Sequence, residues 1–525
     1  MFSAVADWVR LAGAGWRLSR HDALIPHEYA ALAPAPIRLL GKVSRVGARL
    51  RENGRALRPG ERLAAAFEGM GPAYVKLGQF MATRPDVIGF DMARDLGRLQ
   101  DRMPPFSTAE AKKELARALG APSETLFGEF SDAIAAASIA QVHKATLPTG
   151  ESVAVKVLRP RIEEIAGQDF RAFARAARAV EALSRSARRL EPVKFIDTLR
   201  ESAAVELDLR MEAGAASAIS ESLKTKEDII CPDVHWSLSA RRVLTLSWID
   251  AVPVSNLAAL EERGIDKKAL ARKIMQLFLT QALHEGFFHA DMHQGNLMVD
   301  DAGRLVLIDF GIMGRLDAKA RNTFAQILHG FVLRDYQHTA QAHFDAGYVP
   351  AHHSVDAFAQ ALRSVGEPLF GQNAKSIDMS RVLQQLFDVT ELFDMHLRPE
   401  LVLLQRTMVR VEGVARMLDA EINMWDTATP IVRSYLETEI GPRRQLERLR
   451  TAAFKAADIA PHLPDYVEKI ARASERISDD RLGLSEQTTS DLAKALSREG
   501  RMTRGALWFV GAAMVALAAA IFWGG

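Results

Sequence analysis

Asp291, Asn296 and Asp309 have the types and spacing to hold a hard divalent cation beside a reacting oxygen. Asp291 and Asn296 stand five residues apart in His289-Ala290-Asp291-Met292-His293-Gln294-Gly295-Asn296. Asp309 follows the apolar run 305–308 and precedes Phe310-Gly311. A triphosphate needs Mg²⁺, which takes oxygen ligands. The carboxylate of Asp309 and the amide oxygen of Asn296 would supply them. Asp291 would then orient or deprotonate an attacking hydroxyl or water. Each residue alone is an ordinary turn residue. The ordered set, with apolar strands around it, carries the signal.

This order resembles the protein-kinase catalytic loop H-R-D-x-x-x-x-N and its D-F-G metal site, which implies ATP and Mg²⁺ as ligands. Val153-Ala154-Val155-Lys156 matches the upstream V-A-I-K pattern, about 135 residues before Asp291. The Lys156 ammonium would contact phosphates and needs an acidic helix partner. Glu206, Asp208 and Glu212 are candidates. At about 100° per residue Asp208 and Glu212 share a helix face, and Glu206 points roughly 120° from Glu212. Spacing does not choose among them.

Two kinase parts are missing. Where a glycine-rich loop should stand, the chain has Ala135, Ala136, Ala137, Ser138 and Ala140. Alanines at 135, 137 and 140 occupy the three positions of a G-x-G-x-x-G spacing. Alanine restricts close backbone approach and positive φ, so this loop should grip nucleotide differently. After Gly311 only Ile312 to Leu316 precede Asp317, which looks like a helix N-cap. No A-P-E follows. Without that segment a peptide substrate has no platform.

The elements that must position these residues read as an α+β, protein-kinase-like two-lobe fold. A helical N-terminal extension covers 1–105, and the next unit opens with a helix N-capped by Ser107 or Thr108 and ended by Gly120. The smaller lobe runs over 106–252, with a meander of three strands in 125–158, helix over 161–225, and two more strands around VHWSL and RRVLTLSWI. Residues 253–450 form a mainly helical second lobe, 451–504 a connector, and 505–523 a transmembrane helix.

The ends of the chain set expectations about the membrane. The N-terminus lacks a basic start followed by an apolar core, so no secretory signal is expected. Its loose apolar face reads as a helix packed on its own protein, with a membrane-surface helix as the alternative. The uncharged stretch 505–523 would span about 28 Å. Trp508 and Trp523 sit near its ends, and Arg498, Arg501 and Arg504 precede it. This predicts a single-pass inner-membrane protein with a cytoplasmic body. Small residues around Gly511 would let two such helices approach, giving a homodimer. The rest of the composition is ordinary: 48% hydrophobic, 25% charged, net charge +2. Nothing there predicts nucleic-acid binding. One cysteine, Cys231, excludes an internal disulfide and Cys-rich metal sites.

Four motifs together resemble the UbiB family of atypical, protein-kinase-like proteins of ubiquinone biosynthesis. They are Lys76-Leu77-Gly78-Gln79, the alanine-rich loop in AAASIAQVHKA, Glu206-Leu207-Asp208, and HADMHQGN with its following D-x-G. Gln294 departs from the family's usual proline, and one C-terminal span stands where bacterial relatives often show two. The resemblance implies that Glu212 partners Lys156. It also implies that the helix of Lys76 and Gln79 folds over the active site near Glu206 and Asp208. The functional expectation is a membrane-anchored ATPase that handles polyprenyl-phenol precursors for the ubiquinone biosynthesis enzymes. The alternatives are a lipid or protein kinase and a nucleotide-responsive lipid-binding scaffold. No flavin, haem or iron motif predicts hydroxylase chemistry.

Overall fold

The computed structural model describes residues 2–23, 51–52, 55–82, 88–97, 99, 103–183, 188, 191–370, 385, 388–390, 392–395 and 399–440. The expected connector 451–504 and apolar span 505–523 lie outside these residues. Among the described residues no helix is long and apolar enough to cross a membrane.

The smaller lobe is built on one antiparallel sheet of four strands, in the order Glu129–Ala136, Ala140–Thr146, Ser152–Leu158, Val243–Ser247. Helix Thr108–Leu119 covers one face. Ser107 and Glu110 form its capping box, and Gly120 ends it at φ +75°. Val153, Val155 and Val157 are fully buried there with Leu115 and Phe127.

Sequence reading expected a fifth strand around VHWSL, and the structure corrects this. Val234 makes one isolated bridge to Leu246, and Trp236–Leu238 then turn as a short 3₁₀ helix. The Thr245 hydroxyl donates to the Leu238 carbonyl at 2.7 Å, and the Ser239 hydroxyl accepts from the Thr245 N–H at 3.0 Å. Such side-chain bonds to backbone compete with a ladder.

The expected helix over 161–225 is not continuous, and the described residues include helices Ile162–Leu183, Pro192–Glu206 and Leu209–Leu223. Pro192 starts the second, where a missing N–H costs nothing. Asp208 caps the third, accepting from the Arg210 N–H at 3.1 Å.

The N-terminal helix Phe2–Arg20 packs on helix Ile162–Leu183. Ala14 and Leu18 are buried, Arg10 pairs with Asp169 at 2.9 Å, and Asp7 pairs with Arg175. Val5, Val9 and Trp16 stay exposed on its outer side. Helices Pro59–Glu68, Pro72–Met81 and Phe90–Leu96 also belong to the extension. Gly78 lies where they meet. A Cβ there would run into Leu99 Cδ1 and come within 2.7 Å of Phe67 Cδ2. Gly78→Ala should therefore destabilise the fold by about 1–3 kcal/mol through overpacking. An unchanged denaturant midpoint would show that these helices can separate freely.

The second lobe surrounds helix Lys267–Thr280, whose buried face joins helices Ala318–Val332, Pro399–Leu418 and Met424–Tyr435 in one core. A small sheet lies beside it, ordered Ile229–Ile230, Leu305–Leu307, Leu297–Asp300, Ala251–Pro253. Strand Phe287–His289 pairs with Met313–Arg315. These two short ladders hold both ends of the Asp291 loop and both sides of Asp309.

Candidate active site

Strand Ser152–Leu158 alternates with period two, so burial of its valines turns Lys156 to the opposite face. There its Nζ donates to Glu212 Oε1 and Oε2 at 2.7 and 2.9 Å, and to Asp309 Oδ2 at 3.3 Å. Glu212 stands in the first turn of helix Leu209–Leu223, where the helix dipole favours a carboxylate. Burial pushes the Glu212 carboxyl up, and the Lys156 ammonium pulls it back. Burial opposes the charge on Lys156, but Asp309 and Glu212 outweigh it and raise the ammonium above its ordinary value.

Asp309 adopts a left-handed backbone, φ +61°, which aspartate tolerates better than most residues. Its Oδ1 accepts from the Gly311 N–H at 3.1 Å, leaving Oδ2 toward Lys156. Burial would raise this carboxyl. Lys156 and the Gly311 N–H outweigh burial and hold it down at about 2. A carboxyl depressed in the folded state stabilises above its unfolded pKa and loses that contribution as pH falls through the folded one. The window here runs from 3.8 down to about 2. An Asp309→Asn variant should show a shallower acid limb across it in unfolding followed against pH. Parallel limbs would mean that Asp309 gains nothing from Lys156.

His289 ties the two halves of the site. It is fully buried, and burial lowers its pKa, so the ring is neutral. Its Nδ1 accepts from the Asp291 N–H at 3.1 Å, which leaves the proton on Nε2 to donate to the Ile308 carbonyl at 3.4 Å. Asn296, also buried, donates through Nδ2 to the Asp291 carbonyl at 3.1 Å, and its own carbonyl accepts from the Ile308 N–H at 3.1 Å. The loop bearing Asp291 and Asn296 is thus locked to the strand that delivers Asp309.

The other predicted residues fall in two further places. Lys76, on helix Pro72–Met81, pairs with Glu206 at the end of helix Pro192–Glu206. Asp208 caps the next helix and pairs with Arg210 at 2.6 Å, so its carboxylate is taken up locally. Asp208 and Glu212 therefore do not share one continuous helix face, and Glu206 lies on a different helix from Glu212. The alanine-rich turn joins strands Glu129–Ala136 and Ala140–Thr146. No residue from 135 to 140 takes a positive φ, so alanine fits without strain. The Arg159 guanidinium donates to the Ala137 carbonyl at 2.8 and 3.1 Å and pins the turn. Ser138 is fully buried, and its Oγ has no hydrogen-bond partner among the described residues.

The helix Pro399–Leu418 falls in the stretch expected to be helical, but sequence reasoning missed what it and Arg159 contribute to the site. From that helix Thr407 donates to the Ala290 carbonyl at 2.9 Å, and Arg410 donates to Asp291 Oδ1. No local motif marks either residue. Their partners lie more than a hundred residues earlier in the chain.

A sheet lysine held by a helix glutamate, over a loop that joins Asp291 to Asn296, makes this an atypical kinase-like protein. Residues 98–343 match the ABC1 atypical kinase-like domain, and residues 362–423 match the UbiB helical domain. A protein of Marinobacter nauticus named "Probable protein kinase UbiB" is 37% identical over 473 residues, covering 87% of this chain and 85% of its own. The protein of the same name from Pseudomonas entomophila is 36% identical over 473 residues, covering 89% and 87%. The chain belongs to the UbiB family. Its fold resembles that of Rv3197 from Mycobacterium tuberculosis, solved with erythromycin, at a TM-score of 0.50 and 24% identity over 69% of this chain and 90% of that one.

Proposed function

We propose that this chain uses ATP with Mg²⁺ to support ubiquinone biosynthesis at a membrane, by ATP-driven handling of polyprenyl-phenol precursors. The observation that carries the ATP reading is the Lys156 cluster, with Glu212 on one side and Asp309 on the other. Lys156 would bind phosphate oxygens, and Glu212 would hold it in place. Asp309 and Asn296 suit Mg²⁺, since both offer oxygen to a hard cation and the Asn296 amide nitrogen is already bonded to the Asp291 carbonyl. Bound Mg²⁺ would neutralise charge on the β- and γ-phosphates. The Ser138 hydroxyl, without a partner among the described residues, is a donor that a phosphate could satisfy.

The acceptor reading rests on the short segment after Asp309. Strand Met313–Arg315 runs directly into helix Ala318–Val332, which Asp317 caps at 2.7 Å. That leaves no peptide platform between them. The pair of Lys76 with Glu206 supports a further role for the Lys76 helix, as a cover that keeps bulky acceptors away. Water or a small phenolic hydroxyl then remains as the attacking group. Membrane attachment and contact with the ubiquinone biosynthesis enzymes belong to the same proposal.

The test supplies γ-labelled ATP to the full chain, with and without liposomes carrying a polyprenyl phenol. Free phosphate released faster on the loaded liposomes supports the ATPase reading. Label appearing on lipid or protein without matching free phosphate would replace it with a kinase reading.

A further inference from the structure

Between Asp291 and Asn296 stand Met292, His293, Gln294 and Gly295, with no lysine or arginine. Phosphoryl transfer spreads negative charge over the oxygens of the moving group, and a cation beside them lowers the barrier. Two lysines near the site are already engaged, Lys156 with Glu212 and Asp309, and Lys76 with Glu206.

A third cation arrives from outside the kinase-like domain. Arg410 lies on helix Pro399–Leu418 and donates through Nη1 to Asp291 Oδ1. Thr407, one turn earlier on the same face, is fully buried and donates to the Ala290 carbonyl. The helix thus grips two successive residues of the loop. Leu404, Val411, Val414, Ala415 and Leu418, on the same and adjoining face, anchor it in the core of the second lobe. A helix anchored in this way is part of the wall of the site. A guanidinium has five N–H donors, and the contact with Asp291 uses one of them. The Arg410 side chain keeps 28% of its surface open. Burial lowers its pKa, yet a guanidinium starts so high that it stays charged.

We propose that Arg410 is a catalytic residue, which orients Asp291 and donates to the γ-phosphoryl oxygens of ATP as they gain charge. This rests on the ATP-using reading of the site. In the hydrolytic step the water oxygen forms a bond to the γ-phosphorus. The bond from that phosphorus to the β,γ-bridging oxygen breaks, and its electron pair leaves on ADP. The water proton passes to Asp291 and then to the phosphate product.

The test compares full-length wild type with Arg410→Ala and Arg410→Lys in two measurements. One is ATP turnover. The other is retention of labelled ADP after Mg²⁺ and aluminium fluoride are added to mimic the transferring phosphoryl group. Arg410→Ala should lose about 10³-fold in kcat, the lower end of what such an arginine supplies. It should bind ADP within about threefold of wild type, because the lost contact forms only in the transition state. It should also fail to trap ADP with aluminium fluoride, and Arg410→Lys should recover part of both signals. Intact trapping, or turnover at or above the wild-type rate, overturns the proposal. So does loss of ADP binding together with a lowered thermal midpoint, which would make Arg410 a packing residue. If Arg410→Ala matches a wild type that turns over ATP, only the Arg410 proposal falls. If wild type neither hydrolyses ATP nor traps ADP, the ATP-using reading falls and takes the Arg410 proposal with it.

Discussion

Asp309→Asn should leave the chain folded and cut phosphoryl transfer from ATP by about 10²–10³, the range seen when one preorganised group facing developing charge is removed. The substitution keeps shape and volume but removes the anion. In the structure that anion accepts from Lys156 and from the Gly311 N–H. The asparagine oxygen can still accept from the Gly311 N–H, which keeps the loop geometry, while the amide nitrogen takes the place of the oxygen that faces Lys156 and cannot accept from it. The charge that would hold a divalent cation is lost. Affinity for ADP without metal should therefore change little, whereas the Mg²⁺ concentration needed for half-maximal turnover should rise. Excess Mg²⁺ should recover part of the rate. Turnover assays across a Mg²⁺ titration check this, with thermal melting as the control for folding. Full activity at ordinary Mg²⁺ would remove Asp309 from the metal site. Normal quinone levels in cells carrying the variant would favour the scaffold reading.

Much of this site was legible in the sequence because its parts are local. Asp291 and Asn296 are five residues apart, Asp309 follows an apolar strand, and Lys156 sits at an even position in an alternating run. Short-range geometry preserves such patterns. The Ser107 and Asp317 caps were legible for the same reason, since a cap bonds within its own first turn. The choice of Lys156 partner was not legible from spacing. Helical-wheel arithmetic from Glu206 to Glu212 assumes one helix, and Leu207-Asp208 interrupts it. Asp208 causes the break by capping helix Leu209–Leu223, so the motif residue that looked catalytic also sets where Glu212 points. The fifth strand failed because Ser239 and Thr245 bond to backbone locally. Arg410 and Asp291 are 119 residues apart, and tertiary packing alone brings them together. The apolar segment 505–523 remains an expectation of the sequence, outside the described residues.

Glu212→Ala should destabilise the fold by about 2–3 kcal/mol, below the roughly 3–5 kcal/mol typical of stripping one partner from a buried ion pair. The lower figure has a structural cause. Lys156 keeps Asp309 at 3.3 Å after Glu212 is gone, so its ammonium is only partly abandoned. Lys156→Met should cost less, because Glu212 at the N-terminus of its helix can take up a proton or draw on the helix dipole. Pairing Lys156→Met with Glu212→Leu should bring stability back to within about 1 kcal/mol of wild type, since a packed apolar pair needs no desolvation of charge. Urea unfolding of wild type, Lys156→Met, Glu212→Leu and the double variant forms the double-mutant cycle, and a coupling energy near zero would show that the contact contributes nothing to the fold. The recovered double variant should still be inactive toward ATP. A chain that folds as well without the pair, yet does no chemistry, would show that Lys156 and Glu212 are held there for phosphate. Its stability would then come from the valines on the other side of the same strand.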